Sequence, residues 1–407
     1  MRRAGTGASI ARMRWIVLAA LLLPGCASLL GPDATRDPAG TAECGRSIGE
    51  LSIALALQPS PRAHEARGQC YLKLARWREA RADFDVVVLA WAGLTRPLLE
   101  RAASETALGD DAAAERDLDQ VLRFEPDNVE GYAALAGLYE LRGDAANAAL
   151  MYGEALRRAP SAKLHLGRAS AYLAQCRYDD ARADAQAALK AAPRDPAALD
   201  VLGVAALREH RWRLAEQAFG LTLREQPHNR VALLDRAEAE LAQGRLPAAQ
   251  ADLDALSAVT LRYPPATLAR GELDLRRSAW DGALAEFDAA LHEAAASPLL
   301  PNERVFVVHV DGACAERSPD VKEEWSAQAQ AGRARALHAL ARDAEALSAA
   351  DAALALRPAR APLHDLRGES LAALRRGEDA RAEFEKALAL APGDAGARAG
   401  LAALPGR

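Results

Sequence analysis

The chain has 407 residues, half of them hydrophobic but only 5% aromatic, with 26% charged and a formal net charge of −5. That balance excludes a basic nucleic-acid surface, and no run of 18 apolar residues offers a membrane span. The eight histidines form no His-x-x-x-His pair, no Cys-x-x-Cys occurs, and neither a phosphate loop nor a nucleophile elbow is present, so no metal, cofactor or catalytic constellation is expected.

Residues 1–25 read as an export signal. Arg2, Arg3, Arg12 and Arg14 precede an apolar run from Trp15 to Leu23, too short to cross a bilayer. The run ends in Leu23-Pro24-Gly25-Cys26, which resembles the lipobox of bacterial lipoproteins. That resemblance implies cleavage before Cys26 and acylation of the cysteine. Ala27 rather than aspartate follows it, which implies sorting to the outer membrane, with the chain facing the periplasm. The four arginines lost with the signal leave 47 basic against 56 acidic side chains, net −9. Residues 26–43, rich in proline, glycine and aspartate, suit a flexible tether.

From residue 44 a repeat governs the chain. Alanines at 80, 114, 148, 181, 215, 249, 283, 346 and 380 are spaced by 34 or 33 residues, with one step of 63. A period near 34 is the register of a helix–turn–helix unit stacked into a solenoid. The odd step equals one unit plus 29 residues, so a single insertion interrupts the array. Other columns keep phase. Twelve residues before each alanine stands Gly68, Ala102, Ala136, Ala169, Gly203, Ala237, Gly271, Ala334 or Gly368. Four residues after it, seven of nine positions are large and apolar, among them Phe84, Leu118, Tyr152, Phe219, Phe287 and Phe384. Small residues let paired helices approach closely, and the bulky column fills the gap toward the next unit. Prolines at 126, 160, 193, 227, 358 and 392 mark where each second helix ends.

The pattern resembles the tetratricopeptide-repeat (TPR) family, most fully in Tyr132, Ala136, Tyr139, Gly143, Ala148, Tyr152, Ala155 and Pro160. The resemblance implies an all-α, right-handed superhelical solenoid of about nine to ten repeats, covering 44–297 and 327–392. Glu105, Glu240 and Asp274 replace the usual Tyr or Leu, which predicts looser packing there. The family also implies that the first helix of each unit lines the concave face. On that register Glu65, Gln69, Lys73, Glu130, Lys163, Ser170, Asp200, Arg208 and Arg335 are candidate partner contacts, with Leu166 and Val204 at equivalent positions. The Lys and Asn clamp by which some members hold a peptide carboxylate is absent, since Glu65 and Gln69, Asp200 and Val204, and Asp365 and Glu369 stand there. Cys44 and Cys70 fall on neighbouring antiparallel helices near the same end. In an oxidising compartment they are expected to form a disulfide, whereas the sequence does not assign the partners of Cys176 and Cys314.

The insertion, 298–326, carries the β-branched and aromatic run Val305, Phe306, Val308 and Val310 before Asp311-Gly312, a turn signal. It is open to a small hairpin, a strap across the helices, or a strand paired with a partner. Residues 393–407 read as a short capping helix and tail. Together these features predict a non-enzymatic, lipid-anchored scaffold without cofactors or metal. Its partners would be envelope proteins in secretin or pilus assembly, exopolysaccharide export or cell-wall machinery. The alternative is a periplasmic carrier or regulator holding a glycan or small ligand in the concave groove.

Overall fold

The computed structural model describes residues 38–260, 262–296 and 321–404. Among them lie twenty α-helices and no strand. A lone helix, α1 (Pro38–Leu57), precedes nine hairpins. The first four are α2 (Pro61–Lys73) with α3 (Trp77–Ala90), α4 (Thr95–Leu108) with α5 (Asp111–Phe124), α6 (Val129–Arg142) with α7 (Ala145–Arg158), and α8 (Ala162–Ala174) with α9 (Tyr178–Ala191). Next come α10 (Pro196–Arg208), α11 (Trp212–Glu225), α12 (Arg230–Ala242) and α13 (Leu246–Val259). The last pairs are α14 (Pro264–Arg276) with α15 (Trp280–Ala296), α16 (Val321–Ala339) with α17 (Asp343–Leu356), and α18 (Ala361–Ala373) with α19 (Gly377–Leu390). A single short helix, α20 (Ala395–Ala403), closes the array. Two compact units divide inside α10, between Ala205 and Ala206.

Local chemistry sets each boundary. Ser60, Asp110, Asn128, Asp144, Ser161, Asn229 and Asp394 accept a hydrogen bond from a backbone N–H in the following first turn, satisfying donors that the helix leaves free. Every first helix ends in the same turn. One residue takes a positive φ: Ala75, Gly109, Gly143, Cys176, His210, Gly244, Ser278, Ala341 and Arg375. The next N–H then reaches back to the carbonyl five residues earlier, as Arg76 does to Tyr71 at 2.8 Å and Arg376 to Leu371 at 2.9 Å. That double-bonded helix stop favours glycine, yet only Gly109, Gly143 and Gly244 supply it.

The small and bulky columns meet as close packing demands. The alanine column is fully buried throughout. Phe384 lies against Gly368 of its own hairpin and Gly400 of the capping helix; a Cβ on Gly368 would stand 2.6 Å from its ring. Phe287 is held the same way between Gly271 and Gly332, and Tyr152 against Gly167. Gly332 follows Phe287 by 45 residues where Gly400 follows Phe384 by 16. The 29 extra residues are therefore absorbed without breaking the α15–α16 contact.

Two boundaries differ from those the sequence suggested. Helix α1 starts at Pro38, within the stretch read as tether, because proline suits the first helical turn. Helix α16 starts at Val321, five residues before the end assigned to the insertion. Glu323 and Glu324 complement its N-terminal dipole, and Trp325 is buried against α15 with Phe287, Ala290 and Ala294. Among the described residues no helix is long and apolar enough to cross a membrane.

Candidate functional site

Within each unit, first helices of successive hairpins touch one another. The pairs are α2–α4, α4–α6 and α6–α8 in the first unit, and α12–α14, α14–α16, α16–α18 and α18–α20 in the second. No two second helices touch among the described residues. The first helices thus form the inner, tighter face of each unit.

Several of the expected contact residues lie on that face, and three of them link neighbouring hairpins. Gln69 on α2 donates to Glu100 on α4 at 2.9 Å, and Arg208 reaches Glu238 on α12 at 3.5 Å. Arg335 on α16 donates to Glu272 on α14 at 2.9 Å, across the insertion, and Arg276 shares that acid. Burial raises the carboxyl pKa of Glu100, against hydrogen bonds from Arg96 and Gln69; it also raises that of Glu238, against Arg208. Lys73 and Glu130 are exposed, while Glu65, Lys163, Ser170 and Asp200 are half-buried. Leu166 and Val204 are buried. Their apolar side chains belong to the core, so the register carried over from the family overcounts the open surface. Cys26, Val305, Phe306, Val308 and Val310 lie outside the described residues.

Cys44 is buried in α1 and Cys70 half-buried in α2, and the structure holds them as adjacent free thiols. Burial, followed by a hydrogen bond with Cys44, pushes the Cys70 thiol up to about 12, which leaves it a poor nucleophile at neutral pH. Oxidation closes a loop of some 25 residues and should add about 3 kcal/mol. Non-reducing peptide mapping of the chain after air oxidation should find Cys44 linked to Cys70; free thiols at both positions would exclude the bond.

One polar pattern went unread in the sequence. Arg67, Arg101, Arg168 and Arg236 each grip an aspartate 16 residues later through Nε and Nη2, at 2.6–2.8 Å, using Asp83, Asp117, Asp184 and Asp252. All four aspartates are buried. His64 and His165 add a third contact to Asp83 and Asp184. The recurrence of Arg and Asp at that separation, in step with the alanines, was the available signal. These bidentate pairs fasten first helix to second inside a hairpin, so they are structural. Among the described residues no group of acids, histidines and cysteines could hold a metal ion.

The tetratricopeptide-repeat family profile matches residues 166–230 and 201–258. A crystal structure titled as the APC/C hetero-tetramer Cut9-Hcn1 is similar over 85% of this chain and 76% of that one, at 15% identity and a TM-score of 0.55. The array has the fold of tetratricopeptide-repeat solenoids. The yeast Tom70 structure covers 86% of this chain and 89% of its own at 12% identity, with a TM-score of 0.42. The structure of PilW, described as a type IV pilus biogenesis factor, covers 49% of this chain and 92% of its own at 19% identity, with a TM-score of 0.44. No curated protein matches the chain. TPR arrays in general bind protein partners, and their family and structural neighbours are generally non-enzymatic scaffolds.

Proposed function

We propose that the chain is a lipid-anchored, non-enzymatic TPR scaffold that holds protein partners together in the bacterial envelope, facing the periplasm from the outer membrane. The observation that carries the reading is the inner face. Within each unit, successive first helices present charged side chains there, among them the half-buried Glu65, Lys163 and Asp200. The lipobox-like Leu23-Pro24-Gly25-Cys26 supplies the anchor; two or more acyl chains make such anchoring stable. Which envelope machine it serves, whether secretin or pilus, polysaccharide export or cell-wall synthesis, is a matter for partner identification.

A glycan carrier is less well supported. Sugars are bound on open aromatic faces, but the TPR aromatics here are engaged. Arg76 covers Tyr71 at 4.5 Å, Arg177 covers Tyr172 at 4.3 Å and Arg158 covers Tyr132 at 4.3 Å.

Affinity capture of the tagged chain from envelope membranes should return a discrete protein partner. Capture should fall about tenfold when the exposed Lys73 and Glu130 are reversed in charge, with helix content unchanged, since one lost buried contact of 1.4 kcal/mol is a factor of ten. A co-purifying glycan without protein would favour the carrier. Palmitate labelling that persists in Cys26→Ala would end the anchoring part.

A further inference from the structure

Four exposed large apolar side chains line one edge of the first hairpins. Leu57 ends α1 and is 82% exposed; Leu89, at the end of α3, is 86% exposed. Leu94, the N-cap of α4, is 52% exposed, and Phe124, the last residue of α5, is 48% exposed. All four stand where a second helix hands over to the next first helix. Successive hand-overs are adjacent, since Thr95 at the start of α4 donates its hydroxyl to Glu125 just beyond α5 at 2.7 Å. The turn between α3 and α4 lacks the proline that most of its counterparts carry. Where the α5–α6 and α11–α12 turns read Glu-Pro-Asp-Asn and Gln-Pro-His-Asn, this one reads Ala90-Trp91-Ala92-Gly93-Leu94, with Trp91 half-buried. A polar turn is the default for an edge facing water, so an apolar one there needs an occupant.

We infer that this edge, from Leu57 through Leu89, Trp91 and Leu94 to Phe124, rests on a lipid surface. The inference depends on the anchoring reading above. Only residues 27–37 separate Cys26 from α1, and a fully extended chain of that length reaches about 40 Å. An acylated Cys26 therefore keeps Pro38 within that distance of the bilayer, and since α1 is about 30 Å long, its Leu57 end can reach the surface. Single apolar side chains and a tryptophan flanked by cations suit the headgroup boundary. Arg62, Arg96 and Arg123 are exposed beside Leu57, Leu94 and Phe124. The acids at this edge are engaged: Glu125 accepts from Thr95 and Asn128, and Asp127 from Arg158.

The test places an environment-sensitive fluorophore at Leu89→Cys or Phe124→Cys of the full chain, with Leu150→Cys on α7 as control, because Leu150 is 62% exposed but lies away from the edge. Each is read against the identically treated parent on phosphatidylethanolamine–phosphatidylglycerol vesicles containing spin-labelled lipid. The mass of the Cys26 peptide reports acylation separately. Expected are a blue shift and at least threefold quenching at positions 89 and 124, with none at 150. An acylated chain whose probes at 89 and 124 stay in water overturns the inference and leaves the anchor standing. If the chain is not acylated, quenching on added vesicles still supports the edge and its absence overturns it. Shielding that needs no lipid and rises with protein concentration would assign the edge to a second copy, and overturns it too.

Discussion

Replacing Phe287 with alanine is expected to cost about 3–5 kcal/mol, the usual range for emptying a fully packed aromatic site. The ring is 2% exposed and shares its cluster with Leu268, Ala283, Ala290 and Trp325. It is gripped from both sides by glycine. A Cβ on Gly271 would stand 2.6 Å from the ring, and one on Gly332 would overlap its tip. Gly332→Ala should therefore also destabilise, by about 1–3 kcal/mol through overpacking. The two changes remove each other's cause: with Phe287→Leu the tip is gone, and Gly332→Ala should become nearly neutral. Such a double-mutant cycle reads the contact directly. A solenoid couples mainly through nearest neighbours, so the loss should be local. Hydrogen exchange should quicken in α14 to α17 while α2 to α7 keep their protection. A cost below about 1 kcal/mol for Phe287→Ala would mean that the hairpins flanking the insertion are not packed as the structure shows.

Much of this contact was legible in the sequence. A small column and a bulky column at fixed offsets can persist through nine units only if a helix crossing repeats, and Gly271, Phe287 and Gly368 stand where that argument puts them. The turns were half legible. Gly109 and Gly143 announce a left-handed stop, but Ala75, His210 and Arg375 adopt the same conformation with no local signal, because the stacked hairpins impose it. The inner surface was least legible. Family register placed Gln69, Arg208 and Arg335 on it, but their partners Glu100, Glu238 and Glu272 sit in the neighbouring unit, Glu272 with the insertion between. A pairing across units depends on how far each hairpin rotates from the last, which no single repeat encodes. The exposed edge at Leu89 and Leu94 was passed over for the opposite reason: isolated leucines in an alanine-rich chain look like core until burial is known.

Glu105 and Glu240 should make stability fall as pH rises through neutrality. They occupy the register position usually held by Tyr or Leu, one at the end of α4 and one at the end of α12, and both are 6% exposed. Each has a buried, unpartnered Oε2. The pocket closes over both acids, and the counter-ion nearest Glu240, Arg245 at 3.5 Å, is shared with Glu216. Burial, reinforced by the neighbouring Asp117, raises Glu105 to about 7, with Arg101 and Arg81 opposing. Burial and Asp252 do the same to Glu240, against Arg236 and Arg245. The arginines are already committed, Arg101 to Asp117 and Arg236 to Asp252. A carboxyl whose native pKa lies above its unfolded value, near 4.3, stabilises fully only below that unfolded value. The contribution is lost between about pH 4.5 and 7, on the order of 2 kcal/mol per site. Glutamine copies the protonated shape and cannot ionise. Glu105→Gln with Glu240→Gln should match the parent near pH 4.5 and exceed it at pH 8, with the gain confined to α4–α5 and α12–α13. Because a long repeat array need not unfold in two states, the measurement is hydrogen exchange by segment at the two pH values, corrected for intrinsic exchange. Equal protection of parent and variant at pH 8 would show that water or a side-chain rotation relieves both acids, and that the tyrosine column tolerates a charge at no cost.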